Sequence, residues 1–554
     1  MRNIKININV TFTETDEAVS EVNGVTRIDD GSFSLILDST HEFDIDGLES
    51  AMLRVNYPAI RDAISRQLEK TSKKKAFEQI RLTHKGGIIE EHPSRYQVDG
   101  EIGRFEFKTF DVKSEEKKLL SKGIDFFPAH KGREWYLTRG HKELALFLGA
   151  AKSSYRQTSV RFNRSRYQES GGTPLNTLCD NAHREGLKVL DFITHKTEKT
   201  FEEHHFTSEG EPDTDCSVVK EIPEASYLEE TGLQTALTSV CSEMSKKGFS
   251  SDDITIVRNS TVGNKVYENP EGTVYVHIDD VGVKKQKEHR DKKPHVVLPE
   301  EYQPGKKPTR PSVQNTVARI EHKGKGFTLT GRSVSEVLKY VLAVLLCNNL
   351  VRNKIVLCTD GQKSLQKAIV SFFSWHTNIL LILDWFHIVK KFKEDLSLAC
   401  KGREIRNNNL RQILPMLWFG LIDNAKNYLT AIPLTDLKSK EPITRLVDYL
   451  ERNRERIPCY AMRCRLKLPN SSNPVERSNN IVTAMRQKHS GMSWSNNGSY
   501  ALTALNAVVV NQSTHQWVTT RKLPFLLVGK AAYANRTVRL FSDFTTRWRQ
   551  WRHK

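Results

Sequence analysis

Three acidic positions carry the chemistry that this sequence offers. The first is the pair Asp279-Asp280 inside the apolar run VYVHIDDVGV (274–283). The second is Asp360, which closes the apolar run KIVLCTD (354–360) and stands just before Gly361. The third is Glu476, in the first turn of a helix started by Asn473-Pro474, since proline suits the first helical position behind a capping asparagine. Carboxylates brought together bind hard divalent cations through oxygen. Two such cations roughly 3.5–4 Å apart clamp the attacking and leaving oxygens of an in-line phosphoryl displacement. Each acid also has a plainer reading. Asp360-Gly361 reads as a turn and helix cap, Glu476 as an acid favoured by the positive end of a helix, and Asp279-Asp280 as a pair on an edge strand. Their joint occurrence, in strands whose apolar content disfavours acids, favours a shared site.

The elements that must position these acids are legible from about residue 271. VYVHIDDVGV reads as a strand, and TVARIEH (316–322) and GFTLTGR (326–332) as two more, joined by turn residues 323–325. A helix follows over 334–350, then the strand KIVLCTD, a helix over 362–373 and the strand NILLILD (378–384). Continuous apolar runs of this length suit strands covered on both faces. The order β-β-β-α-β-α-β-α is that of an α/β, RNase H-like core. Strand one is central in that topology, and ligands of open α/β sheets bind in the crevice outside strand ends. A mid-strand acid at 279 or 280 can therefore face Asp360 at the end of strand four. Residues 385–466 read as all helix, an insertion over about 388–466 that precedes the helix of Glu476.

The rest of the chain sets the context. Its 554 residues hold 84 Lys and Arg against 66 Asp and Glu, a formal charge of +18, which points to a polyanion such as nucleic acid. An apolar fraction of 38% and a charged fraction of 27% exclude a wholly disordered chain and an integral membrane protein. No apolar run approaches the 18 or so residues of a membrane span. The polar N-terminus is no secretory signal, and eight cysteines without a CxxC pair fit a reducing cytoplasm, near the nucleoid. Residues 1–135 read as an α+β region, with a helix around 46–81 and strands in NINVTF, GSFSLIL and GRFEFKTF. Residues 136–200 read as helical. Within them, 143–187 has the pattern helix, helix, Gly-Gly turn, helix of a helix-turn-helix-like unit, with Asn176, Asn181, His183 and Arg184 as polar candidates on the last helix. A plain three-helix bundle is the alternative. Residues 201–270 read as an acidic linker containing a helix, since 201–230 hold ten acids and one lysine. The stretch 284–310, with nine Lys or Arg and four acids, reads as a basic loop between strands of the catalytic domain at 271–530. Residues 531–554 form a basic tail with Trp548 and Trp551.

Four stretches together resemble the DDE transposases of bacterial insertion sequences, on the side related to Mutator-like elements. They are VYVHIDDVGV, VLCTDGQKSLQKAI, LILDWFHIVKK and SSNPVERSNNIVTAMRQKHSGMSWSNNGSYALTAL. The resemblance covers roughly 274–515. It implies that Asp279, Asp360 and Glu476 are the metal-binding catalytic acids, with Asp280 where the family has glycine. It implies two Mg²⁺ or Mn²⁺ per active site, double-stranded DNA as partner, and a homodimer or higher oligomer on that DNA, with no membrane and no small-molecule substrate. The family's D-x-x-H falls on Asp384 and His387, taken as residues that support the centre. Similar proteins place a tryptophan of the insertion near DNA; Trp418 is the candidate here, and a core position is its other reading. The family's Gly-Met-x-Trp-Ser turn falls on 491–495, where Trp494 either stacks on a base or anchors the turn. Similar transposases often carry a Cys-rich ribbon ahead of the helical unit, but 108–128 has no cysteine here.

On the helix of Glu476, Asn480 and Thr483 share its face by the i+4, i+7 rule. Arg477, Arg486 and Lys488 lie beside it, toward a phosphate backbone. The expected reaction is hydrolytic nicking of a transposon end, then attack of the freed 3′-OH on target DNA, with no covalent protein intermediate. An RNase H-like nuclease without strand transfer, and a non-catalytic DNA-binding protein derived from a transposase, are the alternatives.

Overall fold

The computed structural model describes residues 25–27, 33–35, 45–127, 135–150, 154–164, 172–220, 228–261, 267–286, 311–488 and 492–529. Most of the basic loop (287–310), the run NINVTF, Gly491 and the C-terminal tail lie outside those residues. The protein is mixed α/β and divides into two compact units, Met1–Ala182 and His183–Lys554.

In the first unit a helix spans Ile45–Leu82, close to the expected 46–81. Ahead of it Phe33–Leu35, inside GSFSLIL, pairs with Val25–Arg27 in a two-stranded sheet, and after it two three-stranded sheets follow, with Gly103–Phe107 inside GRFEFKTF. Tyr96, Val98 and Phe107 form the buried centre, packed with Leu68, Ile124 and Phe127. Two helices, Arg139–Ala150 and Tyr155–Arg164, meet the start of a third, Leu175–Glu203, through Ala145, Phe162 and Leu178. That third helix has 29 residues and continues into the second unit. Of the polar candidates on it, Asn176 and Arg184 are exposed, but Asn181 is buried and faces the core.

The second unit is built on a five-stranded sheet, whose elements are labelled from its central strand onward. β1 is Thr273–Lys284, β2 Ser312–His322, β3 Lys325–Gly331, β4 Lys354–Thr359 and β5 Ile379–Leu383. They lie in the order β3-β2-β1-β4-β5, antiparallel across β3-β2-β1 and parallel across β1-β4-β5. β1 is central because Val274, Val276, Ile278, Val281 and Val283 are β-branched and buried. All six residues of β4 are buried, as its unbroken apolar run requires. Helix α1, Val334–Cys347, is buried nearly throughout and packs on β2 and β3, while α2, Lys363–Phe372, joins β4 to β5.

After β5 come α3 (Trp385–Ala399), α4 (Arg403–Trp418), α5 (Ile422–Thr430), α6 (Glu441–Arg452) and α7 (Tyr460–Arg465). Their apolar faces form one core with Val356, Cys358 and Ile382 of the sheet. Trp418 belongs to it: its ring stacks on Tyr460 at 6.1 Å and meets the edge of Trp385 at 4.9 Å, so the core reading of this residue is the observed one.

The later part of the stretch read as an acidic linker with a helix forms two packed helices. Helices Glu230–Lys246 and Ser251–Thr261 bury Ala236, Leu237, Val240, Met244 and Val257 against Phe419, Leu421, Ala461 and Met462. Along these helices the apolar residues recur at helical spacing, and periodicity decides burial. The joint is fastened by Arg463, which donates to both oxygens of Glu268 at 2.7 and 2.8 Å, with both side chains fully buried.

Candidate metal centre

β1 is longer than the parallel partner beside it. The β1–β4 ladder ends at His277 opposite Cys358, and β4 in turn places Cys358 opposite Ile382 of β5. Two residues further along that register stand Asp279, Asp360 and Asp384. Side chains two apart on a strand share a face, so the sheet sets these three acids in a row at the carboxyl end of β4 and β5. Asp280 falls on the opposite face, is exposed, and accepts a hydrogen bond from the hydroxyl of Thr316 at 2.5 Å.

Asp279 is half-buried. One of its oxygens accepts from the N–H of Asp280 at 2.8 Å and the other from the side-chain amide of Asn479 at 2.7 Å. Burial pushes its carboxyl above the usual range and the charges of Asp360 and Asp280 add to that, against the opposing pull of the Asp280 N–H and of His387. Asp360 accepts from the N–H of Gln362 at 2.8 Å, so the turn reading of Asp360-Gly361 also holds and uses one oxygen. Gly361 is required there. Its φ is +87°, and a Cβ would lie 2.9 Å from Leu383 Cδ1 and 3.0 Å from the Tyr449 hydroxyl.

Asp384 is fully buried and caps α3, accepting from the N–H of His387 at 3.1 Å. Its other oxygen accepts from the Ser472 hydroxyl at 2.7 Å and from the Ser472 N–H. Burial alone would raise this carboxyl, but the hydrogen bonds from His387 and Ser472 outweigh it and hold it below the usual range. Ser472 immediately precedes helix α8, Asn473–Asn479, so Asp384 ties the helix that bears Glu476 to the end of β5.

His387 stands between the acids. Nδ1 is 3.5 Å from Asp384 and Nε2 is 3.9 Å from Glu476. Asp384 raises the imidazole most, Asp360 and Glu476 add to it, and burial opposes. The ring is therefore a stronger base than a free imidazole. Glu476 itself is about half exposed.

Of the expected site residues, Asp279, Asp360, Asp384, His387 and Glu476 are thus brought to one place. Arg477, Asn480 and Lys488 are exposed on the polypeptide that follows Glu476. Arg486 is corrected, and for Trp494 the turn-anchor reading is the observed one: both are buried, the guanidinium lies over the indole at 5.2 Å, and the indole N–H donates to the Gln487 carbonyl at 3.2 Å. The backbone of Trp494 bonds that of Lys284 and Gln286, so the tryptophan anchors the turn onto the end of β1 and offers no face to a base. The sequence reading missed Asn479. Asn479, the last residue of α8, is buried and points inward, whereas Asn480, the first residue of the π-helical turn Asn480–Ala484, is exposed. The i+3 spacing from Glu476 was the available signal.

Among the described residues, the set of three whose ligand atoms all lie within 4.8 Å of one another is elsewhere: His205, Asp213 and Asp215, all exposed, form a group able to hold a metal ion. The carboxylates of Asp279, Asp360 and Glu476 form a more open set. Among the described residues, no helix is long and apolar enough to cross a membrane. No protein-family model, curated protein or solved structure matches the chain.

Proposed function

We propose that this chain is a DDE transposase with an RNase H-like core, which cuts transposon DNA ends and joins them to a target by metal-dependent phosphoryl transfer. One observation carries the reading. The sheet order β3-β2-β1-β4-β5 sets Asp279 and Asp360 side by side at the carboxyl end of β4, and α8 brings Glu476 to them through His387 and Asn479.

The donor set fits divalent cations. It is made of carboxylate oxygens, and burial together with the neighbouring charge of Asp360 raises the Asp279 carboxyl, which a bound cation would offset. Mg²⁺ or Mn²⁺ bound by Asp279, Asp360 and Glu476 would supply Lewis-acid stabilisation of charge on the attacking and leaving oxygens. The protein's own residues do the positioning. Asp384 fixes the start of α3 and the loop into α8, His387 offsets the mutual repulsion of the acids, and Arg477, Asn480 and Lys488 face the phosphate backbone of double-stranded DNA. In the first step water attacks phosphorus, the bond to the 3′ oxygen breaks, and a 3′-OH is released. In the second, that hydroxyl attacks a target phosphate in line and displaces another 3′ oxygen.

The test is cleavage of a labelled element end with Mg²⁺, beside joining of a precut end. Both activities are expected, and each should vanish in Asp279→Ala, Asp360→Ala and Glu476→Ala while DNA binding stays near normal. Cleavage without joining would make the protein a nuclease. Neither, with DNA binding intact, would make it a non-catalytic derivative.

A further inference from the structure

We infer that Asn479 is a positioning residue of the proposed metal centre: its amide holds the Asp279 carboxylate in the orientation that binds cations and couples the helix of Glu476 to β1. The inference rests on the proposed function and adds a residue to it. Asn479 is 5% exposed, and its Nδ2 donates to one Asp279 oxygen at 2.7 Å while the Asp280 N–H holds the other at 2.8 Å. With one bond on each oxygen the plane of the carboxylate is fixed, and each oxygen keeps a lone pair for a cation. The Oδ1 of Asn479 is buried without a hydrogen-bond partner, so the amide's acceptor is free for a water bound at the site.

Asparagine suits this position chemically. A carboxylate there would add a like charge beside Asp279, and a lysine would compete with the cation, whereas an amide donates at any pH and brings no charge. The backbone is shaped for it too. The π-helical turn that follows would leave a carbonyl unsatisfied, and the buried Asn506 donates to the carbonyl of Val482 at 2.6 Å to satisfy it. Asn479 lies three residues after Glu476, on the same helix, so one hydrogen bond sets the distance between two of the three acids.

The experiment uses the full chain. Mn²⁺ is titrated by calorimetry, without DNA, into the unchanged protein, Asp279→Asn, Asn479→Ala and Asn479→Leu; leucine keeps the branching and the number of side-chain heavy atoms and removes the donor. Thermal melts of the cation-free proteins check the fold. Removing an outer partner of a metal ligand weakens binding about 10- to 100-fold, and that loss is expected in both Asn479 variants. In cleavage assays the Mg²⁺ needed for half-maximal rate should rise by a similar factor, with KM for DNA unchanged. If the folded Asn479 variants bind Mn²⁺ like the unchanged protein while Asp279→Asn does not, Asn479 serves packing only and the inference falls, leaving the metal centre intact. If Asp279→Asn also binds normally, the centre is misplaced and both readings fall.

Discussion

Glu268→Gln should be among the most damaging single-atom changes this protein can suffer. The Glu268 carboxylate and Arg463 guanidinium are both fully buried, joined by two hydrogen bonds of 2.7 and 2.8 Å. Neutralising the acid leaves an uncompensated cation in the interior, which costs about 3–5 kcal/mol. At about 2.1 cal/mol/K per residue, the unit from His183 onward unfolds with an entropy of about 0.8 kcal/mol/K, so the melting temperature should fall by about 4–6 °C. Arg463→Met strands the carboxylate instead and should cost a similar amount. It also removes the donors to the Pro469 carbonyl at 3.0 and 3.2 Å. The double change Glu268→Leu with Arg463→Met buries no charge, and should be less destabilised than either single variant. Calorimetric melts of the four proteins at pH 7 measure this. A Glu268→Gln melt within about 1 °C of the unchanged protein, or a double variant that loses the sum of the two singles, would refute the claim that a desolvated ion pair fastens the segment ahead of β1 to the helical insertion.

Three further outcomes are expected. Asp384 has its carboxyl held below the ordinary value of 3.8, so its contribution is present above that value and disappears as pH falls through the lower folded one; urea melts should show Asp384→Asn less stable at pH 7, with the gap closing below about pH 4. Gly361→Ala forces a Cβ to 2.9 Å from Leu383 at φ +87°, so a loss of about 1–3 kcal/mol in chemical melts is expected, together with slower cleavage from a displaced Asp360. Trp494→Ala should lower stability by about 3–5 kcal/mol, because the indole is buried, and leave the salt dependence of DNA binding unchanged; a flatter salt dependence with normal stability would restore a DNA role to this residue.

How far the site could be read from the sequence depends on the range of the interactions that build it. Asp279 and Asp360 were legible because an acid inside or ending an apolar strand run is a local anomaly, and strand order follows from the alternation of runs. The choice of Asp279 over Asp280 needed the register, since adjacent residues on a strand take opposite faces. The Glu268–Arg463 pair joins residues 195 positions apart, and no local pattern announces it. Arg486 and Trp494 lay in a polar, basic stretch that resembled a surface, yet each shields the other from water. The i+4, i+7 spacing from Glu476 points to Asn480 and Thr483, whereas the residue that reaches Asp279 is Asn479 at i+3.

These departures share a physical cause that bears on the site itself. Glu476 is half exposed and stands in the first turn of its helix, where the backbone N–H groups have no partner within the helix. Its position has to be imposed from outside. Asp384 does so at the start, through Ser472; Arg463 does so one step earlier, through Pro469; and Asn479 does so at the end, through Asp279. Two of these three ties reach into the insertion or the strand end that leads to it. The insertion and the strand end that leads to it therefore fix the loop from which Glu476 is presented. Variants that loosen the insertion without touching an acid should lower cleavage before they lower DNA binding, and comparing the two quantities in Glu268→Gln near its melting onset would show whether they separate in that order.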